Sequence, residues 1–471
     1  MLLKFKKKNV GPMEDKELVF APHVNVFTGD NSLGKSFLLD LLWFGLTRVW
    51  PADLNRRLAQ GLPARPRDIT AQDSSLEYVF RSRNKNMTRP VVFTYDKERM
   101  SWKAGQGKKH KAGLIIYAMA DGSYAVWDPI QNYSPDEHDK KEYDAYVLSP
   151  AELWPSPPKR DGSTEIVEKS SFCNGVLKDW AKWQGATKDQ HLFDLMKIAL
   201  KGLTPAGDIV DFPELEDAET ASGDDQPVLK LKYGNVLLKH ASSSIRRMAA
   251  LAYVLVWAIS QHAKAAKYRG LKTADQIIIL ADEIETHLHP RWQRSVMDGL
   301  IKTVEALCKQ EKFQGPDVQM FVSTHSPLVM AALEDVFYSD QTELPFPDYE
   351  EQSQNRWFDL DITDGGEIKI DSKLFRAEGR VESWLDSEAF DVHSTYSLEI
   401  ERRIKDLNDL FDNWSATSMK YAIEEKDLFA EVRQKIRELN SRLPIGDKHV
   451  YGFERRLMQL AKESEAANDA H

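Results

Sequence analysis

Cysteine is nearly missing from this chain: among 471 residues there are two, Cys173 and Cys308. That number excludes a disulfide framework and a cysteine-rich metal site. Long hydrophobic runs are missing too. The longest, Met248 to Ile259, is roughly half of what a bilayer span needs. The N-terminus, Met1-Leu-Leu-Lys-Phe-Lys-Lys-Lys, has no apolar signal core and reads as an amphipathic first strand. Positive charge is not in excess, since 63 Lys and Arg face 73 Asp and Glu for a net charge of -10. This argues against coating nucleic acid through bulk charge. Heptads and internal repeats are absent, which excludes long coiled-coil arms. What is present is 42% hydrophobic and 29% charged residues, enough for a sizeable core and against global disorder. The length predicts about three domain-sized units. The expectation is a cytoplasmic protein of a reducing compartment with no membrane partner.

Residues 2 to 28 alternate short apolar runs with turn signals and end in Val24-Asn-Val-Phe27, predicting strands that lead into a glycine-containing loop. Phe37 to Val49 carries apolar residues at helical spacing and stops before Pro51. Leu114 to Ala118 and Tyr124 to Trp127, separated by Asp121-Gly-Ser123, read as two strands. A proline-rich connector is predicted over 149–163, helices over 177–184 and 191–201, and a solvated acidic loop over 207–227. From 228 to 335 the pattern is strand, helix, strand, helix, strand. A hairpin is predicted around Thr363-Asp-Gly-Gly366. Beyond about 380 the chain is polar and helical, with Ile400, Ile404, Leu407 and Phe411 as one apolar stripe and a further helix from Leu428 to Leu443.

Gly29-Asp-Asn-Ser-Leu-Gly-Lys-Ser36 fits the phosphate-loop pattern at every fixed position, between a predicted strand and a predicted helix. The chemistry requires that placement, because backbone N–H groups of the loop and the helix N-terminus cradle phosphate oxygens together. Asn31 and Gly34 belong to the cradle, Lys35 is expected to reach the β/γ-phosphates, and Ser36 to ligate Mg²⁺. Ile277-Ile-Ile-Leu-Ala-Asp-Glu283 is a β-branched run ending in two acids, as in a buried parallel strand whose carboxyl end carries a ligand. Asp282 is suited to the metal, and Glu283 to orienting or deprotonating the attacking water. A third strand ends in Thr324-His325-Ser-Pro327, and His325 is expected to contact the γ-phosphate. Finally, Ser242, Ser243 and Ser244 precede a long helix. They can cap it, or they can present hydroxyls and N–H groups to an anion. Lys35 already serves one phosphate set, so this second site is expected to meet ATP bound to another copy of the chain.

Taken in order, these motifs resemble an ABC-type ATPase head of the RecF, SMC and OLD group, and Glu285-Thr-His-Leu-His-Pro290 resembles the loop after the acidic strand in OLD-like defence ATPases. Several stretches look like the ATPase subunit of PARIS-type anti-phage systems: 29–39, Tyr117 to Pro129, Asn174 to Gln184, Arg246 to Ala258, and Ser383 to Asp391. Retron-associated and Septu-type ATPases resemble this group closely. The resemblance implies an α/β ABC-ATPase head, a mixed sheet with flanking helices, carrying inserted helical segments and a C-terminal helical region. The implied segments are 1–150 (first half of the head), 151–227 (helical insert and acidic loop), 228–375 (second half) and 376–471 (helical tail). It also implies a homo-oligomer with ATP between protomers. Such an assembly holds a TOPRIM-type effector nuclease until a phage protein triggers its release.

Two positions depart from the family pattern. Ser244 stands where a glycine is expected, which would crowd the opposing γ-phosphate, and His289 replaces the aspartate of transporter-type loops. The Mg²⁺-sensing glutamine has two candidates, Gln106 and Gln131. The rival reading is a RecF- or SMC-like DNA-repair or DNA-surveying ATPase, with Lys108 to Lys111 and Arg81 to Lys85 as phosphate contacts, although runs of this size read as solvated loops. A transporter subunit is disfavoured by the large insertions and helical tail. An intrinsic nuclease is disfavoured because Asp359 and Asp361 read as the outward face of a strand.

Overall fold

The computed structural model describes residues 1–71, 73–81, 90–105, 112–132, 144–154, 172–217, 225–338, 353–363, 365–375, 377–379, 381–385, 387, 390, 397–412, 414, 425–443 and 447–469. Gln106, the 108–111 lysine run, residues 82–85, most of the proline-rich connector and 218–224 lie outside them. The chain divides into two compact units, Met1–Trp384 with Glu388–Phe390, and Leu385–Ser387 with Asp391–His471.

In the first unit, β1 (Leu2–Lys8), β2 (Glu17–Val19) and β3 (Val24–Gly29) precede helices α1 (Lys35–Thr47) and α2 (Pro51–Leu54). Six strands follow: β4 (Ser75–Phe80), β5 (Val91–Asp96), β6 (Ser101–Ala104), β7 (Leu114–Ala118), β8 (Tyr124–Trp127) and β9 (Tyr146–Leu148). Then come α3 (Pro150–Leu153), α4 (Val176–Gly185), α5 (Gln190–Leu203) and the short strands β10 (Ile209–Asp211), β11 (Glu216–Asp217), β12 (Asp225–Gln226), β13 (Val228–Leu231) and β14 (Gly234–Leu237). The last stretch alternates: α6 (Ser243–Tyr268), β15 (Gln276–Asp282), α7 (Pro290–Gln310), β16 (Asp317–Ser323), α8 (Pro327–Tyr338), β17 (Asn355–Ile362) and β18 (Ile368–Lys373).

Eight strands form the central mixed sheet, in the order β18-β17-β3-β16-β15-β7-β8-β9. The five in the middle are parallel and the edges antiparallel. Every residue of β15 is buried, which is why it reads as a continuous apolar run rather than an alternation. Its side chains still alternate between two cores. Ile277, Ile279 and Ala281 pack with α6 and α7, while Ile278 and Leu280 pack with Phe321, Tyr117 and α1. Beside α1, the antiparallel sheet β2-β1-β4-β5-β6 closes the second core through Phe5, Tyr78 and Phe93.

Two expectations are corrected. The acidic stretch 207–227 is not wholly a solvated loop, because β10 pairs with β13 and Ile209 and Phe212 are buried. The ring of Phe212 lies 5.9 Å from Trp180 and 6.3 Å from Phe193, so two apolar anchors outweigh the surrounding charge. Asp359 is not on an outward face either. The sheet is covered on both sides, and buried Asp359 accepts a 2.7 Å hydrogen bond from Thr28.

In the second unit, helices Leu398–Asp412, Glu425–Asn440 and Lys448–Asp469 share a core. The stripe residues Ile404, Leu407 and Phe411 are buried there with Leu428, Val432, Ile436, Phe453 and Leu457. Among the described residues no helix is long and apolar enough to cross a membrane.

Candidate nucleotide-binding site

The site grows from the loop between β3 and α1. Gly29 has φ +123 and passes so close to β17 that a Cβ would sit 2.2 Å from the Leu360 carbonyl oxygen. Gly34 caps α1 at φ 93 with no side-chain cap, leaving first-turn N–H groups for an anion. Lys35 donates from Nζ to the carbonyls of Gly29 and Asp30, 2.7 Å each. Burial pulls its ammonium down to about 8, against the attraction of Glu283, Asp282 and Asp30.

Parallel pairing brings the carboxyl ends of β15 and β16 beside this loop, with Asp282 opposite Ser323. Asp282 is buried and accepts hydrogen bonds from Ser323, Ser36 and Gln60. Burial pushes its carboxyl above the usual range, the hydrogen bonds pull it back, and neighbouring Glu283 repels it. Glu283 sits at φ 46, a left-handed conformation uncommon for a side chain of its kind. Its N–H donates to the Ser323 carbonyl at 3.2 Å and to the Ser323 hydroxyl at 3.0 Å, and its Oε1 lies 3.3 Å from His325 Nε2. The hydrogen bond from His325 holds the Glu283 carboxyl below its ordinary value. The structure therefore brings together Lys35, Ser36, Asp282, Glu283 and His325, with Asn31 exposed on the same loop.

The serines sit differently. Ser242 caps α6 by accepting from the Ile245 N–H, and Ser242 and Ser243 are exposed. The Ser244 hydroxyl, expected to crowd an opposing phosphate, instead donates at 2.7 Å to the His287 carbonyl of its own chain. His289, in place of the aspartate, caps α7 by accepting from the Arg291 N–H. Arg247 of α6 donates to the Glu283 carbonyl at 3.3 Å, linking the serine helix to the acidic turn.

Of the two glutamine candidates, Gln106 lies outside the described residues, and Gln131 is engaged away from the acids. Gln131 donates to Asp128 at 3.0 Å and accepts from Tyr146, and Asp128 in turn bonds buried His262. Gln60 is the residue that sequence reasoning missed. Its Nε2 donates to Asp282 Oδ2 at 3.2 Å, while its buried Oε1 has no hydrogen-bond partner. Gly61 beside it is held by Asp40 Oδ2 at 3.3 Å, and Asp40 accepts from the Tyr117 hydroxyl at 2.9 Å. The available signal was a Gln-Gly turn soon after the first helix.

Residues 208–331 match a family model described as "AAA domain, putative AbiEii toxin, Type IV TA system". The match takes in β15, β16 and the serine helix. Among curated proteins the chain is 39% identical over 56 residues to "Retron Vc95 probable ATPase" of Vibrio cholerae serotype O1 biovar El Tor, covering 12% of this chain and 9% of that protein. It is 28% identical over 115 residues to "Retron Ec83 probable ATPase" of Escherichia coli, covering 24% of this chain and 15% of that protein. The chain thus spans a small part of these relatives' lengths. Among solved structures, an SMC head bound to the C-winged helix domain of ScpA overlaps with a TM-score of 0.38 at 14% identity, covering 80% of this chain and 98% of that one. The recombination mediator RecF with ATP overlaps with a TM-score of 0.32 at 13% identity, covering 79% and 97%.

Proposed function

We propose that this chain binds ATP at the β3–α1 loop and hydrolyses it, serving as the sensor and scaffold subunit of a cytoplasmic anti-phage defence system of PARIS type. The observation that carries the hydrolytic part is the convergence of Lys35, Ser36, Asp282, Glu283 and His325 on one end of one sheet. Lys35 would exchange its two carbonyl acceptors for phosphate oxygens, a change favoured because the ammonium regains a full counter-charge. Glu283, held deprotonated by His325, is the group suited to take a proton from the attacking water. The His325 ring fixes that carboxylate and offers a donor to the terminal phosphate.

The donor set fits Mg²⁺. Ser36 and Asp282 would supply oxygen ligands, and the Gln60 amide that donates to Asp282 carries a buried Oε1 with no hydrogen-bond partner. Among the described residues no group of three or more His, Cys, Asp and Glu could hold an ion. One hydroxyl and one carboxylate suit an ion that keeps water and phosphate ligands. When bound, Mg²⁺ supplies charge neutralisation on the phosphates.

The defence role is supported by the two retron ATPase stretches and by the sequence resemblance. In this reading the exposed Ser242 and Ser243 complete the nucleotide site of a second copy, and the assembly holds a TOPRIM-type effector nuclease until a phage protein releases it. Lys35→Ala should weaken ATP binding at least tenfold in equilibrium titration; unchanged affinity would remove the phosphate-loop assignment. Purification from cells that also express the neighbouring gene product tests the partner: a stable nuclease complex supports defence. Recovery of DNA alone supports a DNA-repair or DNA-surveying ATPase instead.

A further inference from the structure

Glu285 takes no part in the chemistry described above, yet it is one of the most confined acids in the chain. Its side chain is buried, and Oε1 accepts two hydrogen bonds, from Thr324 Oγ1 at 2.7 Å and from the His325 N–H at 2.8 Å. Its Oε2 is also buried and has no hydrogen-bond partner. Burying a carboxyl with one oxygen unsatisfied costs folding free energy that an apolar side chain would not. Stability alone therefore does not account for an acid at this position.

The geometry gives it a task. Glu283 and Glu285 lie on one turn and grip the same residue from two sides. Glu285 holds the His325 backbone, while Glu283 lies 3.3 Å from the ring nitrogen. The rest of the segment is braced around that point. Thr324 N–H donates to the Phe27 carbonyl, the Ser326 N–H to Thr324 Oγ1, and the Ser326 hydroxyl to Gln293 at 2.7 Å. Gln293 in turn donates to the Leu288 carbonyl of the acidic loop. Among the described residues, Glu285 is the one hydrogen-bond acceptor shown for the His325 backbone N–H.

We propose that Glu285 is a positioning residue: by clamping Thr324 and the His325 N–H it sets the distance between the His325 ring and Glu283 and so the rate of ATP hydrolysis. This rests on the hydrolytic reading given above. A shift of about 1 Å in such a group can cost on the order of a hundredfold in rate. Glu285→Ala should therefore lower kcat tenfold to a hundredfold while leaving KM and the ATP dissociation constant unchanged. Glu285→Gln keeps an acceptor oxygen at the same reach and should recover most of that loss.

The test uses the full-length protein. Phosphate release is measured for wild type, Glu285→Ala, Glu285→Gln, His325→Ala and the Glu285→Ala, His325→Ala double variant. If Glu285 acts through His325, the double variant is no slower than His325→Ala. Multiplying losses, or an unchanged kcat in Glu285→Ala, would overturn the proposal. Should Glu285→Ala fail to fold, Thr324→Val removes one of the two donors and should give a smaller kcat loss at unchanged KM; full activity there overturns it as well. A second readout needs no turnover. In histidine-labelled, nucleotide-free protein, the imidazole resonance of His325 (assigned by its loss in His325→Ala) should move in Glu285→Ala and return in Glu285→Gln. If wild type releases no phosphate, the hydrolytic reading fails, and this resonance still decides: an unmoved signal means Glu285 does not place the ring.

Discussion

Asp40 shows how strongly burial governs single residues here. It lies inside α1 beneath the site, and burial pushes its carboxyl up to about 7, with Asp282 adding repulsion against the Tyr117 and Gly61 hydrogen bonds. In the unfolded chain an ordinary aspartate loses its proton near pH ~4, so between these values the folded protein holds the extra proton. Its contribution to stability is complete below the unfolded value and is lost as pH rises through about 7. The unfolding temperature of the wild type should therefore fall across that interval, and Asp40→Asn should flatten the fall; parallel profiles would show that Asp40 does not titrate as described. At this scale the sequence was readable where the candidate site is built from consecutive residues. Lys35 and Ser36 stand out because a phosphate cradle is one continuous loop, and Asp282 and Glu283 because they end an apolar run. Gln60 does not stand out. It meets Asp282 across 222 residues of chain, and a lone glutamine carries no local pattern. Glu285 looked like part of a loop motif, and only the fold shows what it grips.

The elements follow hydrophobic period closely. Helix α6 is buried from Met248 to Ser260, so its sequence is apolar on all sides and lacks the stripe of a surface helix. Leu255, wholly inaccessible, should cost about 2–5 kcal/mol of stability when changed to alanine, as measured by denaturant unfolding. A cost below about 1 kcal/mol would mean that α6 is not packed as described. Helix α1 and strands β7, β8, β15 and β16 match the expected spans within a few residues, because their patterns are strong over their whole length. Strand β10 was hidden for the opposite reason. Three residues among acids give no period, and the pairing with β13 and the burial of Phe212 decide the outcome. The tail stripe calls for burial on the head, on the helix from Leu428 to Leu443, or on an effector or neighbouring subunit, and within the second unit it packs on the helices Glu425–Asn440 and Lys448–Asp469. Arg403, an attractive surface position in the sequence, is engaged with Glu399 and Glu438. Arg402 is the exposed neighbour. If the tail holds an effector, Arg402→Glu should weaken its co-purification while leaving ATP turnover intact.

For the whole molecule, the proposal is an assembly in which one copy's phosphate loop faces another copy's serine helix. Mixing a Lys35→Ala protein with a Ser242→Arg protein should then restore part of the activity, since one composite site per pair is intact. No recovery at any ratio, with subunit exchange demonstrated, would argue for a self-sufficient site in each chain. The central claim is narrower: the turn carrying Glu283, braced by His325 and facing Lys35, hydrolyses ATP. Phosphate release by Glu283→Gln tests it most directly, alongside an ATP-binding titration on the same protein. The amide keeps the shape but cannot take the proton, so ATP should bind as in wild type while turnover falls at least a hundredfold. Turnover at the wild-type rate would contradict the assignment.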